Sequence, residues 1–192
     1  MTDLDHPENW SGLLVVAEME EGRLTLASRE LLGKGRELAD QLGVWLMAYT
    51  RPFPSDDGKE IISYGADLLF RTPSLEKEPL QNLLIREADL ISKLISEKRP
   101  EIVLFTASDR STAVAARVAQ RFLTGLVTGC TALALDLSER RLLASRPVDG
   151  GKRIEEYSWP AGRPQMAVLV AGLFPEGFSD PYREGKIEVV TI

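Results

Sequence analysis

A short polar turn at residues 107–111 is the part of this sequence whose side chains could most readily bind a ligand. The turn, ASDRS, follows the apolar run EIVLFT and opens an alanine-rich segment with helical spacing. Backbone N–H groups and the helix dipole at such a position attract anions. Arg110 could hold a bound anion, and the hydroxyl groups of Ser108 and Ser111 could donate hydrogen bonds to it. The pattern therefore predicts a candidate anion- or nucleotide-binding turn.

A purely structural role accounts for the same residues. Ser108 or Asp109 could cap the helix, and Arg110 could form a salt bridge with a neighbour. The carboxylate of Asp109 would compete with a phosphate for the same N–H groups, and the turn lacks the glycines that usually surround a phosphate. Capping is the interpretation that the residues favour, and the binding role stays open.

Few other side chains offer catalytic or metal-binding groups. The chain has one histidine, His6, and one cysteine, Cys130, which argues against a histidine-based triad, a multi-histidine metal site and an internal disulfide. Cys130 begins an apolar run, so we expect a packed and unreactive thiol. Glu18, Glu20 and Glu21 could bind a metal, but no second group of ligands accompanies them, and we expect a solvated turn. Without a nucleophile and base pair, we do not expect the chain to be an enzyme by itself.

The composition limits the classes of protein to which the chain can belong. Its 192 residues carry a net charge of −6, which argues against binding to duplex nucleic acid, because such proteins normally have a basic surface. No apolar run approaches the ~20 residues that cross a membrane, and the polar start of the chain does not resemble a signal peptide. Together with the single cysteine, these features predict a cytoplasmic protein.

Continuous apolar runs alternate with segments of helical periodicity along most of the chain. This alternation predicts a three-layer α/β fold, in which an open parallel sheet has helices on both faces. The predicted strands begin near residues 12, 44, 65, 101, 164 and 187, and the predicted helices cover 28–43, 79–100 and the segment from Ser111. Between residues 130 and 148 the pattern alternates around a turn at 138–139, which predicts an added β-hairpin. No linker divides the chain, so residues 1–192 are predicted to form one domain.

The first predicted helix contains its own start and stop signals. Ser28 is expected to cap it, and Gly43 is expected to end it. Gly33 and Gly35 weaken such a helix by ~1 kcal/mol each relative to alanine, and they could let it lie close to a neighbouring segment.

The three tryptophans lead to different expectations. Trp45 opens an apolar run and is expected in the core. Trp10 and Trp159 lie in polar stretches, so they are expected at an interface. Residues 152–162, which surround Trp159, are charged and are expected to form a loop.

The order of these segments resembles the amino-terminal domain of the electron transfer flavoprotein alpha subunit. The resemblance runs from residue 13 to residue 174 and rests on a combination of stretches rather than on one motif. The stretches are LLVVAEMEEGRL, ELLGKGRELADQLG, GADLLFRT, RPEIVLFTASDRSTAVAARVAQRFLTGLVTGCTAL, SRPVDGGK and RPQMAVLVAGLF. The resemblance implies a nucleotide-alpha-hydrolase-like fold. It also implies a place in a system that passes electrons from acyl-CoA-type dehydrogenases to a membrane oxidoreductase, or in a related reductive or bifurcating complex.

The resemblance also implies partners and a junction loop. The partners are an electron transfer flavoprotein beta-like subunit and either a separate FAD-binding module or a dehydrogenase, and a second copy of the chain is a further possibility. Nucleic acid and membrane insertion are not expected. Arg146, Gly150 and Gly151 then belong to a candidate junction loop with a cofactor-binding role, for which a plain loop between strands is the alternative.

The chain departs from the family pattern at three positions, which predicts a divergent member. Asp109 takes the place of a glycine, Lys152 of an asparagine and Val170 of an arginine. The chain ends where the family's FAD-binding domain begins, so we expect that it holds no cofactor alone and that FAD belongs to the complete system.

Three hypotheses for function follow from the sequence. The leading one is the scaffold or docking part of a flavin-based electron transfer system. The alternatives are a small domain that binds AMP or ATP through the turn from Ser108 to Ser111, and a ligand-free domain that associates with itself.

Overall fold

Strands and helices alternate through most of the chain. The computed structural model describes residues 7–51, 58–72, 79–159 and 162–191. The elements in chain order are β1 (Leu13–Val16), β2 (Met19–Glu20), β3 (Arg23–Leu24), α1 (Leu26–Leu42), β4 (Leu46–Thr50), α2 (Lys59–Ser63), β5 (Leu68–Arg71), α3 (Leu80–Lys98), β6 (Ile102–Thr106), α4 (Asp109–Phe122), β7 (Leu126–Cys130), β8 (Ala132–Asp136), β9 (Arg141–Val148), β10 (Arg153–Ser158), β11 (Gln165–Leu169) and β12 (Lys186–Val189).

Seven of the strands form a central parallel sheet. Their order is β12-β5-β4-β1-β6-β11-β7, and each neighbouring pair runs in the same direction. Every residue of β1, β4, β6 and β11 is buried, as the continuous apolar runs predict for strands covered on both faces. The predicted parallel α/β sheet is therefore confirmed.

Two apolar layers lie on opposite faces of this sheet. Leu13 and Val15 of β1 pack with α1, α2 and a small antiparallel sheet made of β8, β9 and β10. Leu14 and Val16 point the other way and pack with α3 and α4. The alternation of side chains along one strand thus divides the core into two layers.

The start of α1 differs from the prediction, and its end agrees with it. Thr25 caps the helix, because its hydroxyl oxygen accepts a hydrogen bond from the Ser28 N–H at 3.2 Å. Ser28 lies inside the helix, and its hydroxyl accepts from the N–H of Glu18 and donates to the carbonyl oxygen of the same residue. Gly43 ends the helix in the left-handed region at φ +66°, as expected.

Two glycines let α1 lie against its neighbours. A Cβ atom on Gly33 would stand 2.6 Å from Cα of Gly177, and a Cβ on Gly35 would stand 2.9 Å from a methyl group of Val15. The segment around Gly177 crosses α1 and donates a backbone hydrogen bond to the Arg29 carbonyl at 3.2 Å. The expected close approach is therefore present at both glycines.

The small antiparallel sheet is larger than the predicted hairpin. β8 and β9 pair around the predicted turn, and the charged segment expected to be a loop instead forms β10, which pairs with β9. Leu133, Ala144 and Tyr157 lie on one face of this sheet and pack against the core. One packed face is enough to hold a strand in place, so a charged segment can still be a strand.

The expectations for the tryptophans are wrong. Trp45 is 57% exposed because it lies just outside β4, which begins at Leu46. Trp10 and Trp159 are buried. Trp10 packs edge to face on Phe122 with ring centroids 6.4 Å apart, and the Trp159 ring nitrogen donates to the Gly125 carbonyl at 2.8 Å.

Among the helices that the structure describes, none combines the length and apolarity needed to cross a membrane.

We predict that Gly33→Ala destabilises the protein by ~1–3 kcal/mol through overpacking against the segment at Gly177. Alanine at an exposed helix position would instead stabilise by ~1 kcal/mol relative to glycine, so the sign of the change is diagnostic. Urea unfolding measures it, and Gln41→Ala on the exposed side of α1 is the control. A more stable Gly33→Ala variant would contradict the close contact.

Candidate functional site

The carboxyl ends of β1 and β6 form the switch point of the central sheet. The chain leaves β1 towards α1 on one face and leaves the adjacent β6 towards α4 on the other face. In open α/β sheets the crevice at such a point is where ligands usually bind. The turn 107–111 lies here, directly after β6.

Ser108 caps α4 and also binds the residue that follows β1. Its hydroxyl oxygen accepts a hydrogen bond from the Ser111 N–H at 3.0 Å and donates to Oε1 of Glu18 at 2.7 Å. The Thr106 hydroxyl donates to the other oxygen of Glu18. Glu18 therefore joins the ends of β1 and β6, and the only proton of the Ser108 hydroxyl is already donated.

Arg110 forms the salt bridge that the structural interpretation expects. Its Nε and Nη2 atoms lie 2.8 and 2.5 Å from Oε2 of Glu87 on α3, whose side chain is only 7% exposed. Arg51, at the end of β4, places its Nε 3.9 Å from the other oxygen of Glu87. Burial lowers the pKa of Arg51, and the like charge of Arg110 lowers it further. Two guanidinium groups thus share one buried carboxylate.

Arg146 lies on the small sheet and contacts Tyr157. Its guanidinium carbon is 5.0 Å from the centre of the Tyr157 ring, and its Nη2 donates to the tyrosine hydroxyl at 3.2 Å. Gly150 and Gly151 form the turn between β9 and β10 with φ values of +68° and +87°. Space around both glycines is open, so the backbone conformation rather than crowding favours glycine there.

The two predicted groups of site residues are separate. Within the described part of the chain, no hydrogen bond or ion pair connects Arg146, Gly150 or Gly151 with the turn at Ser108. A binding role for either group stays a prediction. No local pattern points to Arg51 and Glu87, because they and Arg110 come from three separate elements that meet only in the folded chain.

The remaining candidates have structural surroundings. Cys130 is buried, and burial raises the pKa of its thiol to about 11, so the thiol is protonated near neutral pH. Glu18 is bound by two hydroxyl groups, and the described residues contain no cluster of three or more side chains suited to a metal. His6 lies outside the described residues.

Comparison with known proteins gives one family. Residues 13–192 match the model of the electron transfer flavoprotein domain. The electron transfer flavoprotein subunit alpha of Clostridium acetobutylicum is 36% identical over 168 residues, which are 86% of this chain and 49% of that protein. The corresponding subunit of Thermoanaerobacterium thermosaccharolyticum is 33% identical over 186 residues, 95% of this chain and 54% of that protein.

A third relative has a different name. Protein FixB of Clostridium saccharobutylicum is 34% identical over 173 residues, 90% of this chain and 51% of that protein. The chain therefore spans about half the length of the relatives it matches.

We predict that Glu18→Gln destabilises the protein by ~1–3 kcal/mol, because an amide accepts through one oxygen only and leaves one of two hydroxyl donors unpaired. Urea unfolding measures the loss. Glu20→Gln, two residues away on an exposed side chain, removes the same charge and should change stability by less than ~0.5 kcal/mol. Equal effects of the two substitutions would contradict a joining role for Glu18.

Proposed function

Since the chain belongs to the electron transfer flavoprotein family, we propose that it is the scaffold and docking part of a flavin-based electron transfer system. The family match over residues 13–192 carries this proposal and confirms the resemblance seen in the sequence. Two of the relatives are named as alpha subunits. In such a system the flavin supplies the electron chemistry, and the polypeptide supplies position and electrostatics.

The partner in this proposal is a beta-type subunit of the same family. An FAD-bearing module and a dehydrogenase complete the electron path. The chain itself catalyses no reaction and presents surfaces that hold the other components at a fixed distance and orientation.

The outer face of the small sheet supports a docking role. This face is formed by alternate residues of β8, β9 and β10, opposite the face that packs on the core. Its aliphatic members are Ala132, Ala134, Leu143, Pro147 and Ile154, and Ile154 is 71% exposed. Solvent faces of antiparallel sheets are ordinarily polar, so aliphatic side chains here favour contact with another protein.

The polar residues of the same face are mostly small or paired. Ser145 and Ser158 lie among the aliphatic residues. At one end of the sheet, Asp136 accepts a hydrogen bond from the Ser138 hydroxyl and Arg141 forms an ion pair with Glu139. Glu156 is the remaining charged residue that the register places on this face. Few charges at the centre of a face are typical of protein interfaces.

The switch point does not fit the pyrophosphate of FAD. The Ser108 hydroxyl is bound to Glu18 and to the Ser111 N–H, and Asp109 adds a carboxylate at the start of α4. A dinucleotide there would meet negative charge at the amino end of the helix, where its pyrophosphate needs unpaired N–H donors. We therefore propose that FAD binds to the complete assembly and not to this chain alone.

We predict that Ile154→Lys weakens binding to the beta-type subunit by about tenfold or more. The lysine ammonium group would lose its hydration when the interface forms, and this loss costs free energy. Calorimetric titration of the purified subunits measures the dissociation constant. The side chain is exposed in the chain alone, so the variant should keep the wild-type unfolding midpoint.

Leu123→Lys is the matched control. Leu123 is 89% exposed at the end of α4 and is not part of the small sheet, and the substitution adds the same charge. Equal affinity of both variants and the wild type would overturn the outer face as the docking surface. A chain that binds no beta-type subunit in any form would overturn the proposed function itself.

A further inference from the structure

The group formed by Arg51, Glu87 and Arg110 carries an unbalanced positive charge. The two guanidiniums have side chains that are 42% and 19% exposed, and the carboxylate between them is 7% exposed. Among the described residues, Glu18 is the other carboxylate that acts on Arg51, and it acts more weakly than Glu87 does and is bound to Ser108. Charges withdrawn from water need a partner of opposite sign, and Glu87 provides one for two cations.

Buried hydroxyl groups add further donors at the same end of the sheet. Tyr49 and Thr72 are 0% and 3% exposed, and neither hydroxyl has a hydrogen-bond partner of good geometry among the described residues, although Thr72 lies close enough to Tyr49 to act on the pKa of its hydroxyl. The Ser111 hydroxyl, in the first turn of α4, is also buried and has no hydrogen-bond partner among the described residues. Buried polar groups of native proteins are rarely left in this state unless water or a ligand binds them.

Tyr49 interacts electrostatically with the charged group. Burial raises the pKa of its hydroxyl and the negative charge of Glu87 raises it further, whereas Thr72, Arg51 and Arg110 act in the opposite direction. The hydroxyl is therefore a proton donor at every physiological pH, within electrostatic reach of both guanidiniums.

Among the described residues of this region, the donors outnumber the acceptors. The Arg51 guanidinium makes no hydrogen bond to a described residue and approaches Glu87 only at 3.9 Å, and Arg110 keeps Nη1 unused by Glu87. The hydroxyls of Tyr49, Thr72 and Ser111 can each donate one proton. A water molecule accepts about two hydrogen bonds, whereas a phosphate accepts several and also neutralises the positive charge.

We propose that the region beside Glu87 of α3 and the first turn of α4 binds a small oxyanion of the phosphate type, held by Arg51, Arg110 and the hydroxyl of Tyr49. This site differs from the turn at Ser108, whose hydroxyl is already bound to Glu18. It is independent of the docking role, because it lies at the end of the central sheet and not on the small sheet. The phosphate can be free or can be the phosphoryl group of a nucleotide.

Calorimetric titration of the purified protein with inorganic phosphate tests the site, with chloride at equal ionic strength as the blank. We expect saturable binding with a dissociation constant of about 1 mM or lower. Arg51→Gln should weaken it about tenfold or more, and Tyr49→Phe should weaken it by several-fold, because each removes donors to a charged acceptor. Arg117→Gln, an exposed position on α4 with the same change of charge, should have no effect.

Titrations with AMP and with adenosine identify the source of the anion. Equal affinity for AMP and phosphate means that the phosphoryl group alone is recognised, and tighter binding of AMP means that a nucleotide is the ligand. Adenosine should not bind, and binding of adenosine as tight as that of AMP would overturn an anion site.

Absence of saturable binding of phosphate and AMP at about 10 mM would overturn the proposal, as would equal loss of affinity in Arg51→Gln and Arg117→Gln. Circular dichroism and thermal unfolding check that each variant folds. If Arg51→Gln does not fold, Tyr49→Phe decides the outcome, because it keeps the buried ring and removes only the hydroxyl.

Discussion

Burial of the central strands on both faces is the constraint that decides where this protein can contact anything else. β1, β4, β6 and β11 are covered by α1, α2 and the small antiparallel sheet on one side and by α3 and α4 on the other. A sheet of this kind has no open face for a ligand or a partner. Contacts are left to the strand ends, the margins of the sheet and the outer face of the small antiparallel sheet.

Carboxylates organise both ends of the central sheet. At the carboxyl end, Glu18 accepts hydrogen bonds from the hydroxyls of Thr106 and Ser108, which join β1 to β6. At the opposite end, Asp67 accepts from the Leu46 N–H at 2.8 Å and from Arg36 and Arg183.

The charge state of Asp67 follows from these contacts. Burial alone would raise the pKa of this carboxyl, but the Leu46 N–H and the two guanidiniums lower it below its ordinary value. A folded-state pKa below the unfolded value means that the contacts stabilise the protein above the unfolded pKa and lose their effect as the pH falls through the folded one. Asp67 thereby holds α1 and the chain before β12 to the same strand end at neutral pH.

The sequence could predict the parts of the fold that repeat a local pattern. Buried strands, α3 and α4 follow from apolar runs and helical spacing, and Gly43 from its place after the last helical turn. The position of Trp45 could not be predicted, because one residue of difference in the start of β4 moves the side chain from core to surface. The charged β10 was missed since its pairing with β9 depends on a packed face and not on its own composition.

The candidate site was only partly predictable for a related reason. The turn at Ser108 has a local signature, whereas Arg51, Glu87 and Arg110 come from β4, α3 and α4 and meet only after folding. Residues separated by more than thirty positions, such as Arg51 and Glu87, leave no spacing signal in one sequence. The family and the turn at Ser108 are therefore predictable from the sequence, and the structure adds the charged group beside that turn.

The cofactor content of the purified chain tests the central claim most directly. The visible absorption spectrum is recorded first for the chain alone and then for the chain assembled with a beta-type subunit and an FAD-bearing module, and released nucleotides are identified by mass spectrometry. The docking account predicts a colourless chain that becomes part of a yellow complex. A chain that carries tightly bound FAD by itself would contradict it.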